Sequence, residues 1–292
     1  WLMQVREFRR LMEEVEDFPL QYFYDVRESI LRIRVENSHL EEDELFDLRR
    51  SLSTIADMVK ILNHSDDDDE PEDGWRREKK YPYPALHRLS QDVVTFPQLI
   101  QRIDQILDKF GKIRDNATPE LLQIRRELAK TEGSISRTLY SILRSAQSEG
   151  IVEKDVTPTL RDGRLVIPVI PTLKRKIKGI VHDESATGKT VFIEPTEVVE
   201  ANNRVRELEG EERKEIIRIL TDLTNKVRPY SKEILDSYRF LAIIDLIQAK
   251  QKLADIFKAI EPEVEDHPHI DWTRAIHPLL QLSLQKKNEK VV

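Results

Sequence analysis

The sequence contains no cysteine. That excludes disulfides, thiolate catalysis and cysteine-ligated zinc, and it suits a reducing compartment such as the cytoplasm. No apolar run is long enough to cross a bilayer. The opening Trp-Leu-Met-Gln-Val-Arg-Glu carries charge where a signal peptide would be apolar. A cytoplasmic protein without a membrane partner is therefore expected. An initiator methionine is missing and the chain stops at Asn-Glu-Lys-Val-Val, so it reads as a piece of something longer. Positive charge is also in deficit: the net charge is −7. This argues against a surface that is a nucleic-acid platform throughout, and leaves room for a local one.

One more absence matters. Asp183 to Thr190, "DESATGKT", ends in the Gly-Lys-Thr of a phosphate-binding loop. Such a loop needs a second glycine five residues before Gly188 so that backbone N–H groups can wrap the phosphates. Asp183 stands there, a carboxylate where the anion would lie. Nucleotide binding by this segment is not expected.

What is present is a great deal of helix pattern. With 39% hydrophobic and 35% charged residues in 292, the composition fits long amphipathic helices. A helical core is expected over 1–112, and Ser38 with Glu41 resembles a capping box ahead of the stripe Leu45, Leu48, Leu52, Ile55 and Met58. Residues 64–84 interrupt it as an acidic linker. Seven acids fall between Asp66 and Asp73, too dense a set of like charges to pack. An EF-hand loop counted from Asp66 would need glycine where Pro71 stands. Thr118-Pro119-Glu120 starts a long helix, so 113–150 is expected to be one arm. Residues 196–260 form its antiparallel return with further core helices, and 261–292 is a terminal segment.

Between the arms, over 151–195, the period changes to two. Asp162-Gly163, flanked by β-formers, predicts a type I′ hairpin, which needs positive φ at both central residues. Ile177, Gly179 and Val181 then rise, Gly188 turns the chain, and Val191 and Ile193 return. Gly-Lys-Thr thus closes a hairpin. The expected fold is mainly α and elongated: a helical core, two long antiparallel helices and a small antiparallel β tip.

Candidate binding residues concentrate in that tip. From Arg161 to Lys189 seven cations (Arg161, Arg164, Lys174, Arg175, Lys176, Lys178 and Lys189) face three acids, Asp162, Asp183 and Glu184. If a strand begins near Lys174, then Lys174, Lys176 and Lys178 share one face. Their repulsion would be relieved by a polyanion such as DNA; alternatively, they protect a sheet edge from aggregation. Asn202 and Asn203 are expected to organise the return helix against the tip. His182, Asp183 and Ser185 lie too close on one strand for a nucleophilic triad and suit turn hydrogen bonds better. His267, His269 and Asp271 alternate around Pro268 without an identified further ligand and read as a loop. Trp75, Tyr81 and Tyr83 read as loop anchors ahead of base-stacking platforms. No catalytic residue and no metal site is expected.

"RDNATPEL", "LRDGRLVIPV", "GIVHDESATGKTVFIEP", "EANNRVRELEGEERKEIIRIL" and "AIHPLL" occur in that order. Together, from Arg114 to Leu280, they resemble the region ahead of the ATPase domain in the second bacterial MutS paralogue family, MutS-two; residues 1–110 agree only in helical character and position. The resemblance implies a core, two levers and a clamp-like tip. It implies binding of branched DNA and restraint of homologous recombination by a dimer, with ATP, magnesium and an Smr nuclease belonging to domains outside this sequence. The runner-up is a mechanical or protein-binding rod, including ribosome contact in the rescue of collided ribosomes. Two residues depart from the family pattern: Ile276, where arginine is expected before His277-Pro278, and Gly210 inside a lever helix.

Overall fold

In the computed structural model the described residues are 1–20, 23–65, 80–273 and 275–286. Trp75 and most of the acidic stretch lie outside them. The chain is mainly helical with one small antiparallel sheet, and it divides into two compact units.

The first unit comprises 1–38, 44–101 and 226–292. Its helices are α1 (Leu2–Glu14), α2 (Arg27–Arg32), most of α3 (Glu42–Leu62), α4 (Pro84–Ser90), the first half of α5 (Pro97–Ile106), α8 (Ser231–Phe257) and α9 (Pro278–Lys286). The predicted stripe on α3 is buried, from Leu45 through Met58. Phe8 meets Phe18 edge-on at 6.0 Å between ring centres. The Arg228 guanidinium donates to the carbonyls of Ile33, at 2.6 Å, and Ser38, at 3.0 Å, satisfying backbone acceptors after α2. One helix boundary differs from expectation. Ser38 caps nothing, because its hydroxyl donates to Val35 O at 2.5 Å, and α3 starts only at Glu42. Residues 84–106 form two helices, α4 and α5, and the second opens at Pro97, whose missing N–H costs nothing in a first turn. Tyr81 stacks on His87 at 3.5 Å, and Tyr83 is buried beneath Arg10, so both rings anchor the chain around α4.

The second unit comprises 39–43 and 102–225. It holds α6 (Pro119–Ser148), β1 (Thr159–Arg161), β2 (Arg164–Val169), β3 (Gly179–Glu184), β4 (Val191–Pro195) and nearly all of α7 (Val199–Val227). Thr118 is the α6 cap, its hydroxyl accepting from Leu121 N at 3.1 Å. Side-chain bonds tie α6 to α7 in antiparallel order: Thr118 to Glu215 at 2.7 Å, Arg125 to Glu212 at 2.7 Å and Arg204 to Glu127 at 2.9 Å. α7 continues through Gly210.

The strands are ordered β1-β2-β4-β3, all antiparallel. Asp162 and Gly163 take φ of 49° and 72°, the left-handed pair that the tight β1–β2 turn requires. Alternation along β2 and β4 turns Ile167, Val169, Val191 and Ile193 to one face, where they cluster with Ile135, Leu139 and Leu143 of α6. The strand expected from Lys174 does not form. Pro171–Lys176 is a 3-10 turn, opened by Pro171 with its fixed φ. At three residues per turn Lys174, Arg175 and Lys176 splay to different sides, and only Lys178, just before β3, stays close to the strand.

Candidate nucleic-acid interface

The second face of the sheet mixes buried Val166 and Phe192 with polar residues that a carboxylate organises. Glu194 follows Phe192 by two residues on β4, so both project opposite to the apolar cluster. Its side chain is fully buried. Arg164 donates to it at 2.8 Å, Asn202 donates at 2.7 Å from the first turns of α7, and His182 contacts its other oxygen at 2.5 Å. His182 follows by two residues Ile180, which pairs with Glu194, so alternation puts it on this face; a bulge lies at the same place, Val181 pairing with Ile193 and Asp183 with Phe192. Burial alone would raise the pKa of Glu194; the hydrogen bonds from His182, Asn202 and Arg164 outweigh it and hold the carboxylate below its usual range. A charge removed from water survives only with such donors.

Two of the expected binding residues are engaged on this face of the sheet, Arg164 within the network and Arg161 beside it. Arg164 also donates to Asn203 Oδ1 at 2.7 Å and is mostly covered. Arg161 lies with its guanidinium carbon 4.2 Å from the Phe192 ring centre and its Nε 4.0 Å from Asp183. Asn202 donates further to Leu165 O at 3.4 Å. At the far turn, Ser185 N donates to Thr190 O at 2.8 Å, Gly188 N donates to Ser185 O at 2.7 Å, and Gly188 has φ of 65°. Gly-Lys-Thr therefore ends a β-turn. The Ser185 hydroxyl accepts from Thr190 N at 3.1 Å, a turn bond rather than a nucleophile's partnership.

The remaining candidates face outward. Lys174, Arg175, Lys176, Lys178 and Lys189 are all exposed. Among the described residues no carboxylate pairs with any of them. The structure brings Lys174 to Lys178 together on one short segment and leaves Lys189 on the β3–β4 turn. Glu194 went unrecognised in the sequence reading. The available signal was a single acid in the otherwise apolar run Val-Phe-Ile-Glu-Pro, which implies a buried partner for it.

Elsewhere, Glu265, His267 and His269 bring ligand atoms within 4.8 Å of one another, but all three are exposed on an irregular segment. Their mutual contacts, such as Glu265 to His267 at 3.1 Å, already account for the arrangement.

No family model matches the chain. Curated proteins do. The chain is 36% identical over 280 residues to an endonuclease MutS2 of Levilactobacillus brevis, covering 96% of this chain and 34% of that protein. It is 30% identical over its full 292 residues to that of Enterococcus faecalis, covering 35% of it. It is 37% identical over 205 residues to that of Pelotomaculum thermopropionicum, covering 70% of this chain and 26% of that protein. Its relatives are MutS2 proteins. The family resemblance carried by the five segments is thereby shown, and the chain spans about a third of the length of the MutS2 relatives it matches. No described helix is long and apolar enough to cross a membrane.

Proposed function

We propose that this chain is a non-catalytic DNA-binding portion of a MutS2-type ATPase, with the sheet as a clamp-like tip and α6 and α7 as lever helices. The supporting observation is the division of labour among the tip's cations. Arg161 and Arg164 serve the sheet's own face, whereas Lys174, Arg175, Lys176, Lys178 and Lys189 are exposed without a carboxylate partner among the described residues. Cations left over in an acidic chain suit a phosphate backbone, which is bound mainly through charge. No groove-reading helix is evident among the described residues, so preference for branched over linear DNA would come from shape. In this reading dimerisation, ATP with magnesium and the endonuclease activity in the relatives' name belong to parts of the whole protein outside these residues. Nucleotide-driven closure of a cytoplasmic dimer would move the levers, and the consequence would be restraint of recombination.

The test is fluorescence anisotropy of labelled four-way-junction and linear duplex DNA across a salt series. Binding should weaken as salt rises and should be lost on reversing the charges of Lys174, Lys176 and Lys178. Unchanged binding by that variant would reject the tip as the DNA contact. Transfer of the same loss to isolated ribosomes, with DNA binding intact, would instead support ribosomal RNA as the polyanion.

A further inference from the structure

Arg126, Lys130, Arg137 and Arg144 follow one another on α6 at intervals of four, seven and seven. At about 100° per residue they fall within about 40° of a common direction, and they climb about 27 Å along the helix. All four are exposed. The contrast with their neighbour Arg125 is direct: Arg125 is partly covered and held by Glu212 at 2.7 Å and Asp115 at 2.5 Å.

Among the described residues no carboxylate pairs with any of the four, and spacing along the helix is one reason. Ion pairs on a helix form at three- and four-residue separations. At those separations from the four cations the only carboxylate is Glu127, three residues before Lys130. Glu127 accepts instead from Arg204 at 2.9 Å. On α7 the pattern is the reverse, with Arg204 and Arg218 each meeting several acids. Arg126 and Lys130 also line a groove of about 820 Å³ together with polar Thr131 and Ser134.

The surface between Lys130 and Arg137 is low, whereas half-exposed Tyr140 stands between Arg137 and Arg144. Gly133 and Ser141 lie along the stripe, and a Cβ added to Gly133 would meet nothing within 4 Å. Internal packing therefore gives no reason for glycine, a poor residue for a helix interior. A bare patch between outward cations suits close approach by an external backbone.

We infer that this face of α6 is a second track for a duplex DNA backbone, separate from the tip; the inference rests on the DNA-binding reading above. Lys130, Arg137 and Arg144 recur about every 10.5 Å along the helix and so offer three separate points of contact to a phosphate backbone.

The test uses the Lys130→Gln, Arg137→Gln, Arg144→Gln triple variant beside the Lys174→Gln, Lys176→Gln, Lys178→Gln variant. Glutamine keeps the helix, which circular dichroism checks; should the triple unfold, the single Lys130→Gln and Arg144→Gln variants replace it. Affinity for labelled linear duplex is measured across salt. The α6 triple should bind at least about tenfold more weakly at low salt, and its log–log salt slope should shrink by about 2.7, about 0.9 per lost contact. Each single should lose about 0.9 of slope. Wild-type affinity and slope in the α6 variant, with loss in the tip variant, would overturn the track and leave the tip standing. Intact DNA binding by the α6 triple with lost binding to ribosomes would also overturn it. No binding by the wild type even at low salt would overturn both readings.

Discussion

The Arg164 guanidinium lies 2.8 Å from the Glu194 carboxylate, which no solvent reaches. Glu194 stands on the central strand β4, Arg164 at the start of β2, and Asn202 on α7 joins them. A buried pair of this kind is stabilising only while both members remain. Glu194→Ala should lower the unfolding free energy by about 3–5 kcal/mol, because it removes the carboxylate shared by Arg164, Asn202 and His182 and leaves the mostly covered Arg164 charge without its counter-ion. Replacing both Arg164 and Glu194 by leucine should cost clearly less than the two single changes added together. Denaturant unfolding of the four proteins measures the cycle, and additive losses would contradict coupling.

Acid should act on the same residue. Glu194 and Glu215 both titrate below the ordinary glutamate value of 4.5; for Glu215 the chief cause is the Arg218 guanidinium, with burial opposing. A depressed folded-state value means stability that is fully present above about pH 4.5 and is lost as pH falls through the folded values. The midpoint of urea unfolding should therefore drop on acidification below pH 4.5. Glu194→Gln should flatten that limb, and an unchanged slope would assign the acid sensitivity elsewhere.

The Glu194 network also shows where sequence reading stops. The Asp162-Gly163 turn, the Thr118 cap and the α3 stripe are written in adjacent residues, because capping and turn chemistry are local. The site is not local: Arg164, His182, Glu194 and Asn202 span 39 positions by residue number, and nothing in their spacing announces that they converge. The meeting of His182 with Glu194 depends on a register established across strands. Lys174 misled for a related reason. Alternation of charge around Ile177 imitates a strand, but Pro171 enforces a 3-10 turn that no periodicity reveals.

At the alkaline end two buried phenols should matter. Burial, above all, pushes Tyr238 up to about 12, and its hydroxyl donates to Tyr24 O at 2.9 Å. Tyr83 is also pushed to about 12, first by burial and then by its bond to Glu14. A raised folded-state value means stability present below the unfolded value near pH 10 and lost as pH climbs toward 12. For Tyr238 the loss is on the order of 2–3 kcal/mol. Tyrosinate absorbance and helicity followed together should show phenol ionisation coinciding with unfolding, and Tyr238→Phe should delay it.

Gly179 begins β3 opposite Pro195. A Cβ there would lie 2.2 Å from Glu194 O and 2.8 Å from Ile193 Cγ2. The first obstacle is backbone, which cannot swing aside, so Gly179→Ala must push β3 away from β4. The expected cost is about 1–3 kcal/mol. Loss of amide protection confined to β3 and its neighbours would identify the strand displacement. A variant as stable as the parent would mean that the approach is looser than this.

Alanine should have the opposite effect at Gly133 and Gly210. Both lie inside long helices, α6 and α7, and an added Cβ meets nothing within 4 Å at either. The substitution removes backbone freedom from the unfolded chain and introduces no clash, so each should raise stability by about 0.5–1 kcal/mol. Thermal unfolding of the two single variants and the double checks this, and the gains should add because the sites share no partner. Function separates the two positions. Gly210→Ala should leave DNA affinity untouched, whereas Gly133→Glu should weaken it while leaving the fold intact, because it places a carboxylate between Lys130 and Arg137. Equal DNA affinity in Gly133→Glu and the parent would mean that nothing approaches α6 there, and glycine at that position would then have only its helix cost.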